Sequence, residues 1–189
     1  MARIVSGKYG GMTLRVPDKG TRPTSERVRE AVFSRLESWD EIEGASVLDL
    51  FAGSGALGLE ALSRGAFRAV FVDQASGAYR ILKDNISRNR IDNAQVVKAE
   101  ALRFANSADG LFSLVFIDPP YDFDADRLKE ILVALRTCVT EGALIVLESS
   151  TRTPEPDWPD GYVLESSRKW GETRVWFITF TGKDGSVEA

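Results

Sequence analysis

The sequence predicts an α/β fold: a seven-stranded, mostly parallel sheet with helices on both faces, ending in an antiparallel hairpin. Three observations lead to this prediction. Apolar runs alternate with amphipathic helical patterns between residues 45 and 148, which is typical of parallel strand–helix units. After Glu148, two strand-like runs flank a short turn. The length of 189 residues, with 43% hydrophobic and 28% charged residues, suits one domain with a complete core.

The first forty residues predict a small hairpin and helix in front of the sheet. Alternating residues on either side of Gly10-Gly11 predict a β-hairpin that pairs Arg3–Ser6 with Met12–Val16. After a loop, Thr24 or Ser25 is expected to cap a helix. An apolar stripe at helical spacing predicts the buried face of that helix: Val28, Ala31, Val32, Leu36 and Trp39.

Strands and helices then alternate through the body of the chain. Five apolar runs are predicted strands: Val47–Phe51, Ala69–Asp73, Ala94–Lys98, Phe112–Asp118 and Ala143–Glu148. Helical patterns lie between them: Ala56–Arg64, Ser76–Arg90, a shorter one near Ala101–Ala105, and Ala125–Arg136. The final hairpin is predicted from Tyr162–Lys169 and Thr173–Phe180, which flank Trp170-Gly171-Glu172.

Composition excludes several kinds of chemistry. The sequence contains no histidine, which excludes histidine bases, histidine-containing triads and most zinc sites. Cys138 is the only cysteine, so an internal disulfide is impossible and we expect a cytoplasmic location. No apolar run approaches the roughly 20 residues that span a bilayer, and the N-terminus lacks the apolar core of a signal peptide. We expect neither a metal site nor a membrane partner.

Charge is distributed unevenly along the chain. Residues 1–36 contain eight basic and three acidic residues, a net charge of +5, whereas the remainder carries −9 and the whole chain −4. A basic segment on an acidic body predicts localised contact with a polyanion, although ordinary scatter of surface charges explains the same numbers. We therefore expect a basic extension (residues 1–44), a sheet domain (45–180) and a frayed polar tail (181–189).

The strongest ligand-binding pattern runs from a strand through a glycine loop into a helix. Gly53 and Gly55 let the backbone approach a ligand closely, and Gly58 lets the helix pack tightly against the sheet. These glycines also match the dinucleotide pattern G-x-G-x-x-G. Asp73 ends the next strand, 20 residues after Gly53, and suits a ribose diol. A nicotinamide enzyme is therefore one alternative.

A second motif, Asp118-Pro119-Pro120-Tyr121, follows another strand. Two adjacent prolines remove two backbone N–H groups and fix two φ angles, so nearby carbonyls can point at a ligand. The carboxylate adds acceptors and the tyrosine a flat face, which together suit a planar base with an exocyclic amino group. This motif has no obvious task in hydride transfer. Asp49, four residues before the first glycine, would repel a pyrophosphate but suits the cationic methionyl end of S-adenosylmethionine (SAM).

With these motifs in place, the chain resembles the bacterial 16S rRNA guanine-N2 methyltransferase family of Class I SAM-dependent enzymes. The resemblance covers roughly residues 2–180. Four segments carry it: Asp49–Gly55, Asp118–Tyr121, Arg22–Glu30 and the hairpin turn Trp170–Arg174. Many amino methyltransferases share the glycine loop and the Asp-Pro-Pro-Tyr motif. The N-terminal segment is more selective, and the substrate assignment rests mainly on it.

The resemblance implies a role for each site residue. The methionine end of SAM would be surrounded by Asp49, Phe51, Ala52, Gly53, Ser54, Gly55 and Gly58. The ribose would contact Asp73, and the adenine would lie beside Gln74, Glu100 and Ala101. The target base would be held by the catalytic motif Asp118, Pro119, Pro120 and Tyr121. Candidates for contact with RNA are Lys8, Arg15, Arg22, Thr24, Arg27 and Arg29.

Two of these RNA candidates carry a reservation. Arg27 and Arg29 are two residues apart and cannot share one helix face, so we expect at least one of them to pair with a carboxylate within the protein. Thr24 can act as a helix cap instead.

The expected reaction is SAM-dependent methylation of the N2 amino group of a specific guanine in 16S rRNA, with S-adenosylhomocysteine as product. The substrate would be the 30S subunit or an assembly intermediate, and the enzyme a monomer. The same motifs serve adenine N6 in DNA, another RNA guanine or a glutamine amide in a protein. Alternatives from other classes are a dinucleotide-dependent oxidoreductase and a noncatalytic RNA-binding module.

Overall fold

A computed structural model describes residues 2–17 and 25–182, and a twisted set of strands covered by helices dominates it. The strands are β1 (Ala2–Arg3), β2 (Thr13–Leu14), β3 (Ser46–Asp49), β4 (Arg68–Asp73), β5 (Ala94–Lys98), β6 (Phe112–Ile117), β7 (Val139–Ser150), β8 (Tyr162–Trp170) and β9 (Thr173–Phe180). The helices are α1 (Glu26–Ser38), α2 (Ala56–Ser63), α3 (Ser76–Arg88), α4 (Ala101–Ser107) and α5 (Ala125–Leu135). Within the two described ranges, no helix is long and apolar enough to cross a bilayer.

The large sheet has seven strands in the order β5-β4-β3-β6-β7-β9-β8, while β1 and β2 form a separate antiparallel pair. Strands β3 to β7 pair with one another in parallel, and β9 runs antiparallel to both β7 and β8. The chain enters at the central strand β3, builds outward to β5, and then returns to add β6 on the other side. The reversal between β3 and β6 is a topological switch point, where open α/β sheets bind ligands at the carboxyl ends of their strands.

Both faces of the sheet are buried, as the sequence predicted. Val47 of β3 and Phe116 of β6 pack in a cluster with apolar residues of α1, α2 and α3. Their sequence neighbours, Leu48 and Ile117, pack on the opposite face with residues of α4 and α5. Because successive side chains of a strand point to opposite faces, burial on both sides explains why the central strands are continuous apolar runs.

Several strand ends differ from the prediction. β7 begins at Val139, four residues earlier than expected, because Val139 already pairs with Phe112 of β6; a register shift follows before Leu144 pairs with Leu114. β3 ends at Asp49, where the backbone turns into the glycine loop. β6 ends at Ile117, because the prolines that follow Asp118 cannot donate to a strand ladder.

Buried polar contacts attach the N-terminal extension to α2. The Glu60 carboxylate is fully buried and accepts hydrogen bonds from the backbone N–H groups of Val5 and Ser6, at 2.7 and 3.0 Å. It also pairs with Arg29 and Arg64, at 3.4 and 2.8 Å. The extension and the sheet contribute to one apolar cluster. Because the two units share this cluster, the predicted boundary between the extension and the sheet domain near residue 44 stays a prediction.

Candidate active site

Three carboxylates meet at the carboxyl edge of the central strands. Asp49 ends β3, Asp73 ends β4, and Asp118 follows the last residue of β6. These strands are neighbours in the order β4-β3-β6, so their ends lie within about 10 Å of one another at a strand spacing of about 4.8 Å. The fold thus brings the predicted cofactor residues and the Asp-Pro-Pro-Tyr motif to one edge.

The glycine loop after β3 adopts backbone conformations that favour glycine. The φ angles of Gly53 and Gly55 are 54° and 83°, both in the left-handed region. Asp73 fixes the loop, because its Oδ2 accepts a hydrogen bond from the Gly53 N–H at 2.9 Å. Its Oδ1 accepts another from the Ala75 N–H at 2.8 Å. Each oxygen retains a second lone pair, which leaves acceptor capacity for a ligand hydroxyl.

Helix α2 follows the loop and packs unusually close to the sheet. A Cβ added to Gly58 would lie only 2.3 Å from Cε1 of Phe71 in β4. The predicted role of Gly58 in close helix–sheet packing is therefore confirmed. Its N–H group also donates to Oδ2 of Asp49 at 3.1 Å, which connects the helix to the carboxylate that ends β3.

Asp49 is a buried carboxylate with spare hydrogen-bonding capacity. Its side chain is 1% exposed, and no donor among the described residues lies within hydrogen-bonding distance of its Oδ1. Burial raises the pKa of Asp49 to about 7; the hydrogen bond from Gly58 opposes the increase and the negative charge of Asp73 adds to it. A cationic or N–H-donating ligand group beside Oδ1 would stabilise the charged form of this buried carboxylate. The methionine end of SAM carries such groups, so the residues present fit that cofactor.

The Asp-Pro-Pro-Tyr motif forms a turn beside the glycine loop. Asp118 and Pro119 are half-buried, whereas Tyr121 is 58% exposed. The Phe123 N–H donates to the carbonyl of Pro120 at 3.0 Å and closes the turn. The Phe123 ring lies edge-on to that of Phe51, with centroids 5.2 Å apart, and so joins the two motifs. Sequence reasoning missed Phe123, whose only signal was an aromatic residue two positions after Tyr121.

The predicted adenine-binding residues lie beyond β4 and β5. Gln74 is exposed and Ala101 is buried in the first turn of α4. Glu100 caps that helix, since its carboxylate accepts from the N–H groups of Leu102 and Arg103 at 3.1 and 3.0 Å. It also pairs with Arg127 at 3.2 Å. Contacts of these three residues with adenine stay predictions.

One RNA candidate is corrected by the structure. Arg29 is 1% exposed, pairs with Glu60 and donates to the carbonyl of Arg3. Burial lowers the pKa of its guanidinium, and Glu60 opposes that decrease. A side chain held in this way cannot reach a phosphate, so Arg29 leaves the list of RNA contacts. The expectation that Arg27 or Arg29 pairs with an internal carboxylate is confirmed.

The remaining basic candidates differ in how far the structure describes them. Lys8, Arg15 and Arg27 are exposed, and Arg15 pairs with Asp84 at 3.0 Å. Arg22 and Thr24 lie outside the described residues. Ser25 is the N-cap of α1, because its Oγ accepts from the N–H of Val28 at 3.2 Å.

This fold and site define a Class I SAM-dependent methyltransferase. The antiparallel strand β9 inserted between β7 and β8 distinguishes the sheet from the dinucleotide-binding order, in which all six strands are parallel. The cofactor of the class is SAM. The chain belongs to the family described as Conserved hypothetical protein 95, whose model matches residues 2–179.

Similar proteins cover nearly the whole chain. Ribosomal RNA small subunit methyltransferase D of Escherichia coli (strain K12) is 37% identical over 173 residues, which is 90% of this chain and 85% of that protein. The protein of the same name from Haemophilus influenzae is 33% identical, with 80% of each chain covered. The solved structure of Escherichia coli yhhF has a TM-score of 0.85 at 34% identity and covers 96% of this chain and 99% of its own.

Proposed function

We propose that the protein transfers a methyl group from SAM to the N2 amino group of a specific guanine in 16S rRNA. The substrate is the 30S subunit or an assembly intermediate, and the enzyme acts as a monomer. The observation that carries the proposal is the position of the Asp-Pro-Pro-Tyr turn beside Asp49 and the glycine loop, at the switch point of the sheet. The rRNA target is supported by relatives named as small-subunit rRNA methyltransferases.

The protein contributes mainly alignment of the amino group. Asp49 and the glycine loop would hold the methionine end of SAM, which would supply a methyl group activated by its sulfonium, with S-adenosylhomocysteine as the leaving group. Asp118 and the Pro119 carbonyl accept the two N2 hydrogens, which turns the lone pair out of conjugation with the ring. A charge-assisted hydrogen bond of this kind is worth about 1.5–3 kcal/mol. It accelerates the reaction only as far as it strengthens in the transition state.

Tyr121 and the solvent complete the arrangement. Tyr121 is 58% exposed, so its ring can stack on the target base, a contact worth about 1–3 kcal/mol. The base has to be unstacked from its neighbours before it enters. The transferred proton becomes acidic once nitrogen turns cationic, so Asp118 or water takes it and the absence of histidine is no obstacle.

The exposed basic residues of the extension support contact with phosphates. Lys8, Arg15 and Arg27 lie on the surface of a segment with net charge +5. Such contacts position the substrate without selecting its sequence, and their contribution falls with increasing salt.

Labelled methyl transfer from SAM tests the proposal. Substrates are 30S subunits that lack the modification, with free 16S rRNA, DNA and protein in parallel, and labelled RNA is digested to nucleosides. We expect label only in 16S rRNA, as N2-methylguanosine. Label in adenosine, DNA or protein would refute the proposed target.

A matched pair of variants tests the mechanism. Asp118→Ala should abolish transfer, by at least about a hundredfold, with SAM affinity nearly unchanged. Asp92→Ala is the control, because Asp92 is exposed and precedes β5 at the opposite edge of the sheet. Wild-type turnover by the Asp118 variant would contradict the mechanism.

A further inference from the structure

A charged cavity lies beyond Tyr121, on the side away from the glycine loop. Its volume is about 430 Å³, and it is lined by Tyr121, Ser150, Arg152, Thr153 and Glu172. The lining comes from the turn after β6, the end of β7 and the β8–β9 turn. Apart from Tyr121, none of these residues has a task in the site described above. The sequence singled out Glu172 only as part of the hairpin turn Trp170–Arg174, without a role in binding.

Backbone hydrogen bonds hold the walls of this cavity together. The Thr151 N–H donates to the carbonyl of Glu172 at 2.8 Å, and the Thr153 N–H donates to that of Ser150 at 3.0 Å. Ser150 is also in register with Thr173 across β7 and β9. The turn that carries the Glu172 side chain is therefore fixed to the end of β7 by backbone hydrogen bonds.

An acceptor and a donor lie side by side at the rim. Nη2 of Arg152 is 3.6 Å from Oε1 of Glu172, and the two side chains are 88% and 61% exposed. An ion pair this exposed contributes little to stability, at most about 1 kcal/mol. Replacing this one ion pair by contacts with a ligand would therefore cost little.

Glu172 and Arg152 have hydrogen-bonding groups that match the Watson–Crick edge of guanine but not that of adenine. Next to its N2 amino group, guanine presents the N1–H donor and then the O6 acceptor. Adenine, held by its own N6 amino group, presents an N1 acceptor and then the C2–H, which offers no acceptor. Glu172 can accept from N1–H and Arg152 can donate to O6, whereas adenine would place a lone pair against the carboxylate. A carboxylate is also unsuited to phosphate, so a base edge is the better ligand for this cavity.

The location of the cavity agrees with this assignment. Glu172 precedes β9, which lies two strands from β6 and its Asp-Pro-Pro-Tyr turn, a lateral separation of about 10 Å. A purine that stacks on Tyr121 with its amino group toward Asp118 would extend its N1 and O6 toward Glu172 and Arg152.

We propose that Glu172 and Arg152 select guanine over adenine by reading N1–H and O6 of the target base. This inference rests on the proposed function. The Asp-Pro-Pro-Tyr motif suits the amino group of either guanine or adenine, and the β8–β9 turn would select between them.

The test compares two bases at the mapped target position. Small subunits are reconstituted with 16S rRNA that carries guanine or 2-aminopurine there; 2-aminopurine keeps the amino group but has an N1 lone pair and no O6. Wild-type protein should methylate guanine at least about tenfold faster than 2-aminopurine. Glu172→Gln places an amide N–H within reach of N1, so it should slow transfer to guanine, speed transfer to 2-aminopurine and reduce the preference to about twofold or less.

Two further variants make the comparison specific. Glu172→Ala should lose the preference for guanine without gaining rate on 2-aminopurine. Glu165→Gln is the matched control, since Glu165 is exposed on β8, about 20 Å along the hairpin, and should keep the wild-type preference. SAM affinity, measured by calorimetry, should be unchanged in all three variants.

The outcomes separate this inference from the proposed function. If wild-type protein methylates guanine and the Glu172→Gln variant keeps the wild-type preference, the role of Glu172 is overturned while the proposed function stands. If wild-type protein methylates neither base, both are overturned. The inference is supported if the preference for guanine over 2-aminopurine is lost in both Glu172 variants and retained in Glu165→Gln.

Discussion

Asn85 of α3 connects the N-terminal extension to the glycine loop, and its replacement should weaken both. Its side chain is 2% exposed, and its Nδ2 donates to the carbonyls of Arg15 and Ser54, each at 3.0 Å. Its Oδ1 accepts from the Arg15 N–H at 2.9 Å. Asn85→Ala removes all three hydrogen bonds, so we predict losses of folding stability and of SAM affinity.

The magnitude follows from the burial of each bond. The bond to Ser54 is fully buried, and a carbonyl left without a partner there costs about 1–3 kcal/mol. The two bonds to Arg15 are half-buried, so water can replace the amide in part and each is worth about 0.5–1.5 kcal/mol. The expected loss of unfolding free energy is about 2–6 kcal/mol. If the lost hydrogen bonds destabilise the SAM-binding conformation of the glycine loop, each 1.4 kcal/mol of that destabilisation weakens SAM affinity about tenfold.

Urea unfolding, followed by tryptophan fluorescence, and calorimetric titration with SAM measure the two effects. Asn93→Ala is the matched control. Asn93 is exposed, and its side chain donates from Nδ2 to the carbonyl of Phe67 at 2.9 Å, so its replacement should cost less than about 1 kcal/mol and leave SAM affinity unchanged. If the Asn85 variant lost no more stability than this control, the reasoning from buried hydrogen bonds would be wrong.

Two further predictions concern the same region. The pKa of Asp49 is raised from 3.8 to about 7 in the folded protein, so its contribution to stability is complete below pH 3.8 and is lost as the pH rises through 7. Without SAM, wild-type stability relative to Asp49→Asn should therefore fall by up to about 4 kcal/mol between pH 4 and pH 8 in urea unfolding, and a constant difference would contradict this. Gly58→Ala, with its added Cβ 2.3 Å from Phe71, should cost about 1–3 kcal/mol of stability. By contrast, a Cβ added to Gly77 in α3 would have no atom within 4 Å, so Gly77→Ala should stabilise the protein by about 0.5–1 kcal/mol. Thermal unfolding of both variants distinguishes the two effects. Equal melting temperatures would refute the packing argument.

The fold class could be predicted because local patterns report burial. Strands buried on both faces are continuous apolar runs, and each helix shows an apolar stripe, so the alternation was visible without any long-range information. The final hairpin was predicted for the same reason. The insertion of β9 between β7 and β8 was not, because pairing partners depend on contacts between segments far apart in the chain.

The candidate site divides in the same way. The glycine loop and Asp118–Tyr121 are contiguous motifs in which several residues with restricted conformation or reactive groups occur together, so the sequence alone identified them. Phe123, Asn85 and Arg152 are individually ordinary residues, and only their neighbours in space indicate a role for them. Glu172 lies in the hairpin turn that the sequence identified, but its contact with Arg152 was visible only in the structure.

What the sequence determined by itself was the α/β architecture, the SAM-binding loop and a motif that suits an exocyclic amino group, since each depends on residues close together in the chain. What only the tertiary structure decided was the environment of single side chains. Arg29 has the charge of an RNA contact, but it is buried against Glu60 of α2, 31 positions later in the chain. Burial and electrostatic pairing are set by distances in space, and these arise only when separate segments pack together.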